Sequence, residues 1–177
     1  MKKNAAVLCG LLVVSIQCIA QDRPKAPFEI KGLALKMTAA EFQEKYPSAR
    51  CMDYSGSSRR FGERFCTFYS PSGGLILLPL DLETIAGREV QNYAFSFIAG
   101  KVESLLVTLP PDAFPNVNEA LARRYGRPKV ERGTMSWSSG QQRLILEHDA
   151  RGVIISLESD VMRRWSREWS KKARGDL

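Results

Sequence analysis

The fold is decided by residues 89–109, which read EVQNYAFSFIAGKVESLLVTL. Apolar residues recur mainly at every second position on both sides of a short loop: Val90, Tyr93, Phe95 and Phe97 before it, and Val102, Leu105, Val107 and Leu109 after it. This alternation is typical of strands with one buried face. Because the loop contains Gly100, the stretch predicts a β-hairpin with strands at 89–98 and 101–109.

A helix is predicted on each side of this hairpin. The first begins at the capping-box pair Thr38 and Glu41 and ends at about Tyr46, before a proline. The second begins near Asp112, a candidate N-cap, and ends at Gly126. Its apolar residues follow helical spacing: Phe114, Val117, Leu121 and Tyr125.

The remaining pattern predicts short strands and a third helix. The strands are at about 28–30, 50–54, 63–69, 133–138, 142–148 and 152–158, with a turn at 71–74 before an apolar run at 75–78. The third helix spans about 160–174. The fold class is therefore α+β, an antiparallel sheet with short helices packed on one face and a basic C-terminal helix.

The predicted elements follow one order twice, a helix and then a meander. Both helices end on a basic residue, a tyrosine and a helix stop, at 45–47 and at 124–126. Two related halves, 28–109 and 110–177, are one interpretation. The other is coincidence, because prolines commonly end helices.

Three segments carry a resemblance to a known family: GLALKMTAAEF at 32–42, FIAGKV at 97–102 and YGRP at 125–128. They resemble the β-lactamase-inhibitor-protein-like fold, shared by the SmpA/OmlA family of outer-membrane assembly lipoproteins, and small exported proteins of Gram-negative bacteria. The resemblance implies a tandem α+β fold and a binding role, but no particular partner or functional residue. The chain departs from the family in lacking a lipobox and in having one helix per half.

The first twenty residues have the pattern of a cleavable export signal. Lys2 and Lys3 precede an uncharged apolar stretch at 5–16, and small residues precede a cut after Ala20. We therefore expect a periplasmic mature chain with a flexible lead-in at 21–27. Without the two leader lysines its net charge falls from +7 to +5.

Lipidation of Cys18 is the competing interpretation of the leader. A lipoprotein signal requires a small residue before the cysteine, and Gln17 is bulky. The apolar stretch of the leader is too short to span a bilayer, and no later segment approaches eighteen apolar residues. We expect no transmembrane segment in the mature chain.

The mature chain keeps two cysteines, Cys51 and Cys66. In an oxidising compartment such a pair predicts a disulfide, and closing a loop of about 15 residues stabilises the fold by roughly 3 kcal/mol. A metal site or a reactive thiol is the alternative. Zinc is disfavoured because no histidine lies nearby.

The sequence contains no recognisable catalytic motif. Its single histidine, His148, precedes Asp149, but adjacent strand residues point to opposite faces. Nucleophile elbows, zinc-binding helices, phosphate loops and dinucleotide fingerprints are all missing from the sequence. We therefore predict no catalytic residue, metal or cofactor. Two carboxylates can suffice for a glycosidase, so a small hydrolase stays as the least favoured alternative.

The C-terminal helix is the candidate binding element. Val161, Trp165 and Trp169 share one stripe among many basic residues. In the structural interpretation the tryptophans dock on the sheet and the basic side chains are solvated. In the functional one the helix binds an envelope protein or an anionic lipid surface; nucleic acid is not expected outside the cytoplasm. The candidate residues are Arg163, Arg164, Trp165, Arg167, Trp169, Lys171 and Lys172.

These observations favour a non-catalytic periplasmic binding or accessory protein. It would engage an envelope component or another protein through an exposed sheet face or the basic helix. The alternative is an inhibitor or immunity-type protein that blocks a secreted hydrolase with a loop, such as 55–61 inside the predicted disulfide.

Overall fold

The computed structural model describes residues 27–68 and 82–175. The predicted export signal at 1–20, the turn at 71–74 and the apolar run at 75–78 lie outside the described residues. The described part contains an eight-stranded antiparallel sheet, two small two-stranded hairpins and three α-helices. The predicted α+β class is therefore confirmed.

The predicted helices and strands form in the predicted order, but the pattern did not predict the two-residue strands at 33–34, 84–85 and 88–89, and the strand predicted at 89–98 begins at Asn92. The first half contains β1 (Glu29–Ile30), β2 (Leu33–Ala34), α1 (Ala39–Lys45), β3 (Arg50–Asp53), a 3₁₀ helix (Gly56–Phe61), β4 (Arg64–Thr67), β5 (Thr84–Ile85), β6 (Arg88–Glu89), β7 (Asn92–Ile98) and β8 (Lys101–Leu109). The second contains α2 (Phe114–Tyr125), β9 (Lys129–Glu131), β10 (Thr134–Ser139), β11 (Gln142–Asp149), β12 (Gly152–Ser159) and α3 (Asp160–Gly175).

The large sheet has the order β3-β4-β7-β8-β12-β11-β10-β9. Each half contributes a helix and then four of these strands, so the order reads as a meander and its reverse. The last strands of the two meanders, β8 and β12, pair at the centre, and the first strands, β3 and β9, form the edges. This is the helix-then-meander order that the sequence predicts.

The predicted hairpin forms around a two-residue turn. Ala99 and Gly100 both have positive φ, 49° and 70°, as hairpin turns that match the strand twist require. Farther along, Ser96 faces Ser104 but Phe97 faces Val102. The extra residue in β8 is therefore Glu103, at a β-bulge.

One face of the sheet forms the hydrophobic core under α1 and α2. Phe42 of α1 lies with its ring 4.6 Å from that of Phe95, and Val117 of α2 is fully buried. The N-terminal hairpin closes the same layer, because the Phe28 ring packs edge-on against Tyr125 at 4.9 Å. These buried residues and the alternate residues of the central strands belong to one cluster.

The helix ends agree with the sequence at α1 and differ at α2. Thr38 and Glu41 form the predicted capping box. The prediction of Asp112 as N-cap is wrong, because a 3₁₀ turn precedes α2 and Ala113 occupies the N-cap without a side-chain hydrogen bond. Four strands, not three, follow α2, since the short β9 lies at the edge with all its residues exposed and shows no alternation.

Among the described residues no helix is both long and apolar enough to span a bilayer.

Candidate binding groove

The second face of the sheet carries the residues that alternate with the core residues. Small side chains lie side by side in its middle. Ser96 faces Ser104 across β7 and β8, and Ser104 faces Glu158 across β8 and β12. In the next row Leu106 lies between an alanine and a serine. The short side chains of Ala94, Ser96, Ser104 and Ser156 leave a recess, because larger side chains surround them.

This recess is the floor of a groove of about 470 Å³, which we call the sheet groove. The floor is surrounded by the segment 54–65, which contains the 3₁₀ helix, by strands β11 and β12, and by the first turns of α3. The lining residues are Tyr54, Phe61, Phe65, Ala94, Ser96, Ser104, Leu106, Arg143, Ser156, Glu158, Met162, Arg163, Ser166 and Arg167.

The start of α3 is anchored to the rest of the fold through the bulge at Glu103. Ser159 caps the helix by accepting a hydrogen bond from the Met162 amide at 3.1 Å, and its hydroxyl donates to Glu103. Lys36 donates to the same carboxylate at 2.7 Å. Since Glu103 is only 4% exposed, this charged and hydrogen-bonded cluster fixes where α3 leaves the sheet.

Farther along, α3 rests on the 3₁₀ helix. The Trp165 indole donates to the carbonyl oxygen of Arg59 at 2.5 Å, and the Arg59 guanidinium lies 5.5 Å from the centre of the Trp169 ring. Both tryptophans are half-buried. They dock on the loop inside the disulfide, whereas the structural interpretation of the sequence placed them on the sheet.

The loop that receives the tryptophans is closed at its base. Cys51 and Cys66 face each other across β3 and β4 and form the predicted disulfide, with Cα atoms 4.1 Å apart. The Tyr54 amide donates to the Glu63 carbonyl at 2.9 Å. At Gly62, with φ of +130°, a Cβ would lie 2.9 Å from the Phe97 carbonyl oxygen, so the return of the loop against β7 requires glycine.

The structure divides the predicted binding residues of α3 into three groups. Arg163 and Arg167 line the sheet groove. Trp165 and Trp169 face the 3₁₀ helix, as described above. The other three are exposed: Arg164, Lys171 and Lys172, the last with its ammonium 5.2 Å from the Trp169 ring.

The sheet groove is basic. Three arginines line it, Arg143, Arg163 and Arg167, against one carboxylate, Glu158. Burial raises the pKa of Glu158, and the charges of Arg143 and Arg163 oppose this rise. Burial also raises the pKa of the Tyr54 hydroxyl. Because the acid is outnumbered and its charged form is disfavoured, the groove presents a net positive charge.

Among the groups capable of acid–base chemistry at the second face are two separated glutamates. A second carboxylate, Glu147, lies on β11, but it faces Ile154, four positions along β12 from Glu158. At about 3.3 Å per residue their backbones are about 13 Å apart. In the described part of the chain no group of three or more His, Cys, Asp or Glu residues could hold a metal ion. His148 is exposed and stacks on Phe114, with ring centres 4.4 Å apart.

Most of the groove was not found from the sequence. Arg143, Glu158 and Phe65 alternate with core residues, so the strand pattern alone assigns them to the second face. That pattern cannot show that three separate strands bring them together, because the pairing of β8 with β12 joins segments about fifty residues apart.

Comparisons of the chain with protein-family models, with curated proteins and with solved structures found no match.

Proposed function

We propose that the chain is an exported, non-catalytic binding protein that engages a protein of the cell envelope through the sheet groove. The observation that carries this proposal is the difference between the two sheet faces. One is covered by α1, α2 and the N-terminal hairpin. The other, among the described residues, is flanked only at one end by α3 and the 3₁₀ helix and holds the recessed, charged groove. A recess that combines apolar walls with a few charged groups is typical of recognition sites.

The sequence supports the compartment. The pattern of residues 1–20 is that of an export signal, and the pairing of Cys51 with Cys66 suits an oxidising space. A binding role in the envelope also agrees with what the resemblance to the β-lactamase-inhibitor-protein-like and SmpA/OmlA proteins implies. The resemblance itself stays a proposal.

A second candidate function is inhibition of a secreted hydrolase by the disulfide loop. The observation that favours it is the exposure of two large apolar side chains beside this loop, Met52 at 58% and Phe61 at 44%. The disulfide and the contacts with α3 hold the loop in one conformation. A rigid loop with an exposed apolar anchor binds an enzyme cleft at low entropic cost.

A pull-down from envelope extract of the native host separates the two functions. The immobilised bait is the mature chain, residues 21–177. Capture of an envelope assembly protein supports the proposed function, and capture of one hydrolase in stoichiometric amount, with loss of its activity, supports inhibition.

The same experiment can contradict the proposal at its premise. N-terminal sequencing of the native protein is expected to begin at Gln21. A protein recovered from the cytosol with its N-terminus at Met1 and with Cys51 and Cys66 as free thiols would overturn the envelope role.

A further inference from the structure

We propose that the sheet groove recognises an acidic loop of the partner protein, in which an aspartate or glutamate lies next to an aromatic or large aliphatic residue. This inference rests on the proposed function and adds the chemistry of the partner. The carboxylate is received by Arg143 and Arg167, and the apolar side chain by Tyr54, Phe61 and Phe65.

Two arginines of the sheet groove have unused capacity for a carboxylate. Arg163 is ion-paired with Asp160 in the first turn of α3. Arg143 and Arg167 form no ion pair with any described residue, although Arg143 lies in the field of Glu158 and of Glu131. Guanidinium groups bind carboxylates through two parallel hydrogen bonds. Arg143 on β11 and Arg167 on α3 therefore leave the groove with positive charge that an acidic side chain can use.

One wall of the groove is aromatic. The Tyr54 ring lies 5.4 Å from Phe65 and 6.3 Å from Phe61, centre to centre. Phe61 remains 44% exposed although it belongs to this cluster. An aromatic or aliphatic side chain of a partner would cover it and gain the usual free energy of apolar burial.

The location of the tryptophans favours a protein over a lipid surface. A helix that lies in a membrane interface inserts its apolar face into the lipid. In α3 the two tryptophans that would do so are engaged by Arg59 of the 3₁₀ helix. The two groove arginines without an ion pair among the described residues, Arg143 and Arg167, line a recess of about 470 Å³, a size that accommodates a few protruding side chains.

A phage-displayed library of disulfide-closed peptide loops provides the test. The target is the mature chain, residues 21–177, and the enriched peptides are then synthesised for titration. We compare the parent with the double variant Arg143→Gln/Arg167→Gln. The control is Arg164→Gln/Lys171→Gln, which removes the same charge from exposed positions outside the groove.

We expect the enriched loops to share an acidic residue beside an aromatic or aliphatic one. The double variant should bind these peptides at least about tenfold more weakly than the parent, and the control should bind within about threefold of the parent. The reason is that charge-assisted hydrogen bonds contribute more to affinity than exposed charges screened by salt. Replacing the acidic residue of the peptide by its amide should cause a similar loss. This second measurement uses the unaltered protein, so it holds even if the double variant fails to fold.

Three results would overturn the inference. The first is enrichment of loops without acids, or no enrichment. The second is equal weakening by the control, which would indicate net charge alone. The third is phosphatidylglycerol vesicles that bind the parent and lose binding in the double variant. If the double variant still captures the envelope partner in the pull-down, the proposed function survives and only the acidic-loop inference fails.

Discussion

Two acidic residues on the paired central strands occupy opposite environments. Glu103, at the bulge in β8, is buried with a lysine ammonium and a serine hydroxyl bonded to it. Glu158, on β12, is half-buried in the groove, where partial desolvation raises the pKa of its carboxyl. Glu103 therefore stabilises the start of α3 through its hydrogen bonds, whereas burial disfavours the ionised form of Glu158.

Replacing Glu103 tests the anchor of α3. In Glu103→Ala the ammonium of Lys36 and the hydroxyl of Ser159 lose their partner, and we expect the free energy of unfolding to fall by about 1–3 kcal/mol. Denaturant unfolding measures it. The matched control is Glu119→Ala, whose carboxylate is exposed on α2, with an expected change within about 0.5 kcal/mol. Equal effects of the two substitutions would refute the anchoring role.

The raised pKa of Glu158 predicts a pH dependence of stability. The folded protein binds the Glu158 proton more tightly than the unfolded chain does. The contribution of the protonated carboxyl to stability is therefore fully present below the ordinary glutamate pKa of 4.5, and it is lost as the pH rises through the raised pKa. Glu158→Gln should therefore be more stable than the parent at pH 7.5, with a smaller difference near pH 4.5.

Three charged groups near Glu158 also affect its pKa. Arg143 and Arg163 oppose the rise in its pKa, and Glu147 adds to it. Melting temperatures of the parent and Glu158→Gln, recorded from pH 4 to pH 8, test the prediction, with the exposed Glu44→Gln as control. If the melting temperature of the parent depends on pH as that of Glu158→Gln does, burial does not shift the pKa of this carboxyl.

At the scale of elements, α3 and the 3₁₀ helix form one unit. The disulfide and Gly62 shape the loop, the loop receives the tryptophans, and α3 in turn forms a wall of the groove. Disturbing any member of this chain of contacts should loosen the wall without unfolding the core.

Trp165→Phe removes one contact of this unit. The phenyl ring keeps most of the packing but cannot donate to the Arg59 carbonyl. We expect hydrogen exchange in α3 to increase about fivefold to tenfold, as the loss of about 1 kcal/mol implies. Arg164→Ala, on an exposed side chain, is the control. Unchanged exchange in Trp165→Phe would mean that the indole hydrogen bond does not hold the helix.

Removing the disulfide tests the other end of the unit. The double variant Cys51→Ser/Cys66→Ser opens a loop with a sequence separation of 15 residues. We expect a loss of about 3 kcal/mol in the free energy of unfolding, together with faster exchange in the 3₁₀ helix. Thermal unfolding with and without reductant gives an independent comparison on the parent. A reduced protein as stable as the oxidised one would contradict a structural role for the bridge.

For the whole molecule, local patterns in the sequence were sufficient to predict the positions of most helices and strands. Alternation around Gly100 located the central hairpin, and the pair Thr38 and Glu41 located the start of α1. Such signals act within a few residues of the chain. They failed at Asp112, where two prolines favour a 3₁₀ turn, and at β9, which is too short to alternate.

The sheet groove could not be predicted from local sequence patterns. The strand pattern assigns Arg143 and Glu158 to the second face, but it does not show that they line one groove with Tyr54. That proximity arises because the halves meet at β8 and β12, and because α3 turns back across the sheet to the disulfide loop. Both are long-range contacts, set by the packing of the whole chain.

Site-specific photo-crosslinking in the native host tests the central claim most directly. The photoreactive benzoylphenylalanine replaces Phe61 or Leu106 in the groove, or Arg123, exposed on the opposite side of the molecule on α2. We expect positions 61 and 106 to give a discrete adduct with an envelope protein and position 123 to give none. An adduct from position 123, with none from the groove, would show that the chain binds its partner through the helix-covered face and would contradict the proposed function.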